Sequence, residues 1–182
     1  MLELFRKRQS QRAYKDTPVE PEKIERILEA ARLAPSACNA QPWKFIVVDD
    51  PELKNQIADA TSVKLLGMNH WTKQAPVHIV IVEESANISS NVGSVIKRRH
   101  FPIMDIGIAA SHISLQATHE GLGTCFIGWF NEKRVKKLLN IPSGKRPQLI
   151  ITLGYPDSEV REKIRKDKDK VVSYNSYKSI NN

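Results

Sequence analysis

The chain of 182 residues lacks most of the features that mark a membrane, secreted or metal-binding protein. No apolar run approaches the roughly 18 residues that a membrane-spanning helix needs, and residues 1–8 are not followed by the apolar segment of a signal peptide. The only two cysteines, Cys38 and Cys125, fit no metal-binding spacing. We therefore expect one cytoplasmic domain over residues 1–182, with reduced thiols, no metal ion and no membrane partner.

Catalytic motifs that rely on side chains alone are also absent. The residues form no Ser-His-Asp order, no GxSxG elbow and no His-Glu-x-x-His pair. No glycine-rich turn follows the first predicted strand, which excludes the dinucleotide-binding fingerprint. If the chain is an enzyme, an organic cofactor is therefore expected to carry the reactivity, while the protein supplies binding and electrostatics.

Acidic residues are outnumbered by lysine and arginine, 20 to 28, and the net charge is +8. This balance favours anionic ligands such as phosphorylated small molecules. Aromatic residues make up only 7% of the chain and do not interleave with the basic clusters, so nucleic-acid binding by stacking is disfavoured. Solvated surface explains most of the excess charge, and one or two clusters are candidates for a phosphate site. The clusters lie at residues 6–12, 97–99, 133–137 and 161–170.

Apolar spacing and capping residues predict an α+β fold, a central sheet covered by helices. Helices are predicted to begin at Pro21, after Asp50 as N-cap, and after Asn131 as N-cap. One strand is almost entirely β-branched, which is typical of a central strand. The predicted strands are 45–48, 77–82, 124–127 and 148–153, with 77–82 the central one.

A long helix is predicted over residues 104–120, ended by Gly121 in the left-handed conformation. Its apolar residues cover nearly the whole circumference, which indicates burial on every side. Because a small domain seldom buries a helix completely, part of this helix is expected to face another subunit. The preceding segment, about 85–103, is a candidate lid, predicted as either a loop or a short helix over an opening.

Three short pieces are candidates for a ligand site. In residues 8–12, an extended backbone would place two arginines and a serine on one side, which suits a phosphate. In residues 34–43, prolines stiffen an exposed turn that carries hydrogen-bonding side chains. In residues 121–129, glycines permit a flat ring to approach the backbone closely. Taken singly, the first two pieces are better explained as a basic terminus and a turn, and the third is almost as well explained as a helix cap before a strand.

Together and in this order, the three pieces resemble the nitroreductase family of FMN-dependent oxidoreductases. The resemblance implies a nitroreductase-like fold with a mostly antiparallel sheet of four to five strands. It implies an intertwined homodimer with two FMN sites at the subunit interface, and a tail, residues 161–182, that closes on the phosphate and the partner. Further matching pieces are Ala75-Pro76, Asp105-x-Gly107-x-Ala109, Gly154-Tyr155-Pro156 and Lys163-x-Arg165.

The resemblance implies that the first piece and the tail hold the phosphate and ribityl chain of FMN. Arg8 and Ser10 would contact the ribityl-phosphate region, and Lys163 and Arg165 would close on the phosphate. Arg12 would reach the pyrimidine edge near N1 and O2, where a cation stabilises the reduced flavin.

The resemblance places the flavin ring between two subunits. Residues of the 34–43 loop would pack against the ring of the partner, and Ile127 and Gly128 would line the ring near N5. No catalytic residue is assigned, because flavin N5 would carry the chemistry. The full set of predicted cofactor contacts is Arg8, Gln9, Ser10, Arg12, Pro35, Ser36, Ala37, Asn39, Ile127, Gly128, Lys163 and Arg165.

Three other residues of these pieces are expected to have structural roles. Gln41 is predicted to tie the loop down, and Trp43 to lie in the core. Cys125 is predicted to be an inert buried thiol without a cationic neighbour.

The implied activity is that of an NAD(P)H oxidoreductase. NADH or NADPH would deliver hydride to flavin N5, and a nitroaromatic, quinone or similar electron-poor acceptor would then take the same place, with ping-pong kinetics. Two alternatives stay open. One is a specialised flavoenzyme of the same fold, such as a reductive dehalogenase or an azoline-ring dehydrogenase. The other is a non-catalytic basic module that binds flavin or nucleic acid.

Two regions depart from the family pattern. Larger members bind the pyrimidine edge through an Asn and a Lys ahead of the central strand, and Asn69, His70 and Lys73 lie nearby without a clear correspondence. The basic residues 97–99 are a candidate site for the extra phosphate of NADPH, although a solvated loop is the favoured interpretation.

Overall fold

The computed structural model describes residues 1–62, 68–85 and 100–177. Most of the candidate lid, the basic residues 97–99 and the end of the tail beyond residue 177 lie outside the described residues. No helix in the described ranges is long and apolar enough to cross a membrane.

The sheet has four antiparallel strands in the order β1-β2-β4-β3. Strand β2 pairs with both β1 and β4, which confirms the central position predicted from its β-branched sequence. Ile79 and Ile81 pack on one side of the sheet, and Val80 and Val82 on the other. Burial on both sides explains the continuous apolar run. The bounds are β1 Trp43–Val48, β2 Val77–Glu83, β3 Gly123–Ile127 and β4 Arg146–Gly154.

Helices cover both faces of the sheet, which confirms the α+β class. Helices α2 and α4 pack on one face, and α3 and α5 on the other. Both predicted N-caps form. The Asp50 carboxylate accepts a hydrogen bond from the Leu53 N–H (2.8 Å), and the Asn131 side chain accepts one from the Arg134 N–H (3.0 Å). The bounds are α1 Leu2–Lys7, α2 Pro21–Arg32, α3 Pro51–Thr61, α4 Phe101–His119 and α5 Glu132–Leu138, with short 3-10 turns at Ala37–Asn39, His70–Gln74 and Lys168–Lys170.

Helix α4 has one buried face and one exposed apolar face. It begins at Phe101, earlier than predicted, and Gly121 follows it with φ +77°, which confirms the left-handed cap. Ile103, Met104 and Ile108 are 51%, 55% and 38% exposed. The single chain therefore leaves an apolar stripe of this helix uncovered, in line with the expectation that one chain does not bury the helix on every side.

His78 is a buried titratable group in the middle of the sheet, with no exposed surface. Burial disfavours the imidazolium ion and lowers the pKa of His78 to about 3, and the charge of Lys54 acts in the same direction. In an unfolded chain the histidine pKa is about 6.5. Below that pH the unfolded chain binds a proton that the folded chain excludes, so stability is lost as the pH falls.

Replacing His78→Val should reduce this acid sensitivity. Between pH 7 and pH 5 the unfolding free energy of the wild type should fall by about 2 kcal/mol through this group. In the variant the fall between the two pH values should be smaller by about the same amount. Urea denaturation at pH 7 and at pH 5 measures both. Ile79→Val, a buried change without a titratable group on the same strand, should shift stability equally at both. An unchanged pH dependence in His78→Val would contradict the assignment.

Candidate functional site

The N-terminal segment after α1 runs alongside the edge strand β3. Ser10 forms a parallel bridge with Thr124, and the Gln11 N–H donates to the Thr124 carbonyl oxygen (2.9 Å). Gln11 is buried, whereas Ser10 is half-buried and Arg12 is exposed. The extended backbone thus turns Ser10 and Arg12 outward from the sheet edge, in line with the predicted alternation.

A buried tyrosine fixes the backbone on the other side of Arg12. The Tyr14 hydroxyl lies 2.9 Å from the Gln11 carbonyl oxygen and 2.7 Å from the Thr152 hydroxyl. Burial raises the pKa of Tyr14, so the phenol stays protonated and can donate. The Tyr14 ring also stacks with Trp71 at a centroid distance of 6.3 Å. Residues 11–14 are therefore held to the sheet from both ends.

The start of the tail is hydrogen-bonded to this same segment. The Gln11 side-chain amide donates to the Ser158 hydroxyl (2.8 Å), and the Arg161 N–H donates to Gln9 Oε1 (3.1 Å). The Arg161 guanidinium also donates to the Ser10 carbonyl oxygen (3.3 Å). Side chains of Gln9 and Gln11 therefore hold two segments together that are about 150 residues apart in sequence.

Four cations converge where the segment and the tail meet. Partial burial lowers the pKa of Lys163, and the neighbouring charges of Arg8, Arg165 and Arg161 lower it further. Arg8, Lys163 and Arg165 were predicted to act together on a phosphate. Arg161 was not assigned a site role, because its sequence context is only that of a charged tail. Such a cluster fits a phosphate dianion, whose charge would relieve the mutual repulsion of the cations.

A cleft of about 360 Å³ opens beside this cluster. Its lining includes Ser10, Arg12 and Arg161. Cys125 lies close to Ser10 and Arg12, so the expectation that this thiol has no cationic neighbour is wrong. Burial raises the pKa of Cys125 and outweighs the Arg12 charge and the Ser10 hydroxyl, which act in the opposite direction. The prediction of an unreactive thiol is therefore still favoured, for a different reason.

The 34–43 loop is tightly folded and lies against α4. Three non-glycine residues adopt positive φ angles, Cys38 (52°), Asn39 (51°) and Gln41 (48°). The Gln41 N–H donates to the Ser36 hydroxyl (2.9 Å), and its side-chain amide donates to Asn39, so Gln41 ties the loop down as predicted. Trp43 is buried in the core, also as predicted. Among the predicted contact residues, Pro35 and Asn39 are exposed, and Ser36 and Ala37 are half-buried.

The end of β3 offers main chain rather than side chains to a ligand. Ile127 is only 4% exposed, with its side chain in the core beside α3 and α5, so the prediction that it lines a ring can hold only for its backbone. Gly128 is exposed and has open space around it. Phe126 and Trp129, which the sequence analysis did not assign to the site, are 43% and 67% exposed on either side. This strand end therefore forms an open edge flanked by aromatic rings.

Gly123, within the 121–129 piece, makes room for a protein side chain, unlike Gly128, which has open space around it. A Cβ at Gly123 would lie 2.7 Å from Cγ of Gln11, so the space at this glycine is filled by the Gln11 side chain and not by a flat ring.

The residues near the central strand that lacked a family counterpart have local partners. The Asn69 amide donates to the Thr61 carbonyl oxygen (3.1 Å), and Lys73 forms an ion pair with Asp59 (2.7 Å). These contacts stabilise the turn after α3.

Comparisons with known proteins agree with this architecture. A family model described as "Nitroreductase family" matches residues 5–67 and 64–155. The chain belongs to the nitroreductase family. It is 35% identical to a "Putative NADH dehydrogenase/NAD(P)H nitroreductase" of Methanothermobacter thermautotrophicus, over 86% of this chain and 77% of the relative. It is 28% identical to "Iodotyrosine deiodinase 1" of Sus scrofa, over 93% of this chain and 66% of the relative.

A solved structure gives the same result. The chain is 36% identical to an "FMN-dependent Nitroreductase" from Clostridium difficile R20291, with a TM-score of 0.77 over 97% of this chain and 100% of that one. This chain therefore has the nitroreductase fold. It is an FMN-dependent oxidoreductase with NAD(P)H as co-substrate.

Replacing Gln11→Met should loosen the start of the tail, because the hydrogen bond to Ser158 is lost and the Gln9 amide loses its acceptor on Gln11. We expect trypsin to cleave after Arg161 at least several-fold faster, and the unfolding free energy to fall by about 1–3 kcal/mol. Gln56→Met is the matched control: Gln56 is a half-buried amide on α3 whose side chain donates a hydrogen bond to Glu52. Equal cleavage rates in wild type and Gln11→Met would contradict the role of Gln11.

Proposed function

We propose that this nitroreductase-family protein transfers reducing equivalents from NADH or NADPH to nitroaromatic, quinone or similar electron-poor acceptors, with FMN held by the predicted residues. The observation that carries the proposal is the grouping of Arg8, Arg161, Lys163 and Arg165 beside the cleft that Ser10, Arg12 and Arg161 line. Family membership disfavours the non-catalytic binding module considered from the sequence.

In this proposal the cation cluster binds the FMN phosphate. Arg8 and Arg165 supply planar guanidinium groups, which suit bidentate binding of phosphate oxygens, and Lys163 supplies a point charge. The Ser10 hydroxyl is turned outward beside Arg12 and is available to the ribityl chain. Arg161, which also bonds to the backbone of Ser10, keeps the tail in register with Arg8.

Bound FMN would supply hydride acceptance and donation at N5. The exposed guanidinium of Arg12 would stabilise negative charge near N1 of the ring. The open main chain at Gly128 would border the ring without the steric hindrance of a side chain. NAD(P)H and the acceptor would occupy the same binding site in turn, which gives ping-pong kinetics.

We further propose a homodimer that completes the site. The exposed apolar stripe of α4, formed by Ile103, Met104 and Ile108, is the surface that a partner would cover. The 34–43 loop lies against the same helix, so burying the stripe would bring Ser36 and Asn39 of one subunit to the flavin of the other. The tail beyond residue 161 would close on the phosphate and the partner.

Reductive dehalogenation is the second candidate activity. The match to iodotyrosine deiodinase over 93% of this chain is the observation that favours it. Stopped-flow reoxidation of the reduced protein with a panel of nitroaromatics, quinones and halotyrosines decides between the two. Fast reoxidation by halotyrosine with halide release, and slow reoxidation by the others, would overturn the leading proposal.

Replacing Arg8→Ala should weaken FMN binding about 10- to 100-fold, because a charge-assisted hydrogen bond of roughly 1.5–3 kcal/mol is lost. Fluorescence titration of the apoprotein with FMN measures this effect, which should shrink at high salt. Riboflavin, which lacks the phosphate, should bind wild type and variant alike. Lys7→Ala is the neighbouring control, and unchanged FMN affinity in Arg8→Ala would remove Arg8 from the site.

Replacing Ile108→Asp should disrupt the proposed dimer, because a charge would be buried in an apolar interface. Sedimentation velocity should show a shift from dimer to monomer together with loss of bound FMN. Lys137→Glu, which adds negative charge on the exposed face of α5, should leave the dimer and its bound FMN unchanged. A wild-type monomer that retains FMN would contradict the shared site.

A further inference from the structure

Asp105 is a buried carboxylate on α4 for which neither the fold nor the chemistry above requires a charge. It is only 4% exposed, on the face of α4 that packs into the core. Oδ1 accepts a hydrogen bond from the Ala37 N–H (3.1 Å). Oδ2 is also buried, and within the described part of the chain it has no hydrogen-bond partner.

Such a group is costly for the folded state. A carboxylate that is removed from water loses the hydrogen bonds of its hydration shell. An oxygen that accepts no hydrogen bond, as is the case for Oδ2 among the described residues, gains nothing in return. An apolar residue would fit the surroundings better, since Ile106, Ala109 and Ala110 on the same helix are buried in the core. The hydrogen bond from the Ala37 N–H to Asp105 is therefore the feature to explain.

That bond leads directly into the strained part of the 34–43 loop. Ala37 immediately precedes Cys38 and Asn39, both with positive φ, and Gln41 follows with a third positive φ. Asparagine adopts such angles readily, but for Cys38 and Gln41 they cost energy and must be offset by surrounding contacts. The hydrogen bond from the Gln41 N–H to the Ser36 hydroxyl lies within the loop. The hydrogen bond from the Ala37 N–H to Asp105, in contrast, fixes the loop to a helix.

We propose that Asp105 is a positioning residue for the flavin site: it holds the Ala37 amide and thereby sets the direction in which Ser36 and Asn39 face the flavin of the partner subunit. This inference rests on the proposed function, because it assigns a purpose to the loop in FMN binding. It also explains why a charge is kept in the core: the carboxylate costs stability and fixes the loop.

The test compares Asp105→Leu, which removes the acceptor at similar volume, with Asp105→Asn, which keeps one. Gln116→Leu, toward the opposite end of α4, is the control; its side chain bonds to Glu120. Three quantities are measured: hydrogen exchange of the peptide over residues 34–42 in the apoprotein, the FMN dissociation constant, and the urea midpoint of the apoprotein.

For Asp105→Leu we expect at least tenfold faster exchange of the loop peptide and at least tenfold weaker FMN binding. The urea midpoint should equal or exceed that of the wild type. Asp105→Asn should recover most of the exchange protection and affinity, and Gln116→Leu should leave both as in the wild type.

Two results would overturn the inference. One is wild-type exchange and affinity in Asp105→Leu. The other is a lower urea midpoint in both Asp105 variants that parallels the loss of FMN, since that would indicate a merely structural role. If the wild type fails to bind FMN, the proposed function is overturned, and with it the flavin role of Asp105. If the wild type binds FMN normally and Asp105→Leu has the same affinity, this inference alone is overturned.

Discussion

The hydrogen bonding of one buried side chain, Gln11, determines how the candidate site is assembled. A buried amide must satisfy its donors and acceptor within the protein, and Gln11 does so with the Ala13 carbonyl oxygen, the Ser158 hydroxyl and the Gln9 amide. These partners come from both segments that carry the cations. If either segment moved away, a polar group would be left unpaired in the core, so the segments stay together although their charges repel.

Several features of the site cost stability. The cations around Lys163 repel one another, and three residues of the 34–43 loop have positive φ angles. Asp105 has a buried oxygen that accepts no hydrogen bond from residues 1–62, 68–85 or 100–177. The rest of the fold is well packed around a sheet buried on both faces. Such costs, kept at candidate ligand contacts on a stable scaffold, are typical of binding sites that are organised before the ligand arrives.

Helix α4 links the core to the proposed interface. Its buried face, with Ala109, Ala110 and Ile113, packs against the sheet and α2. Its other face leaves Ile103, Met104 and Ile108 exposed. A helix that is apolar on both faces is stable only if both are covered. The same helix anchors the loop through Asp105, so dimer formation and flavin contact would be coupled mechanically.

Much of the fold could be predicted from local sequence. The caps at Asp50 and Asn131, the left-handed Gly121 and the β-branched strand around Val80 each depend on a few neighbouring residues, and all are confirmed. The family resemblance, carried by several motifs in order, gave the fold, the cofactor and the class of reaction. The predicted contact residues of the first piece and of the tail also come together.

Contacts between residues far apart in the chain were decided only by the tertiary structure. The hydrogen bond of Arg161 to Ser10, the Arg12 charge beside Cys125, the Asp105 bond to Ala37 and the burial of the Ile127 side chain have no local signature. Each depends on which elements the sheet order places side by side. Local patterns are set by interactions within a few residues, so the sequence alone determined the elements and their chemistry. Packing decided which side chains meet, because that depends on the whole core.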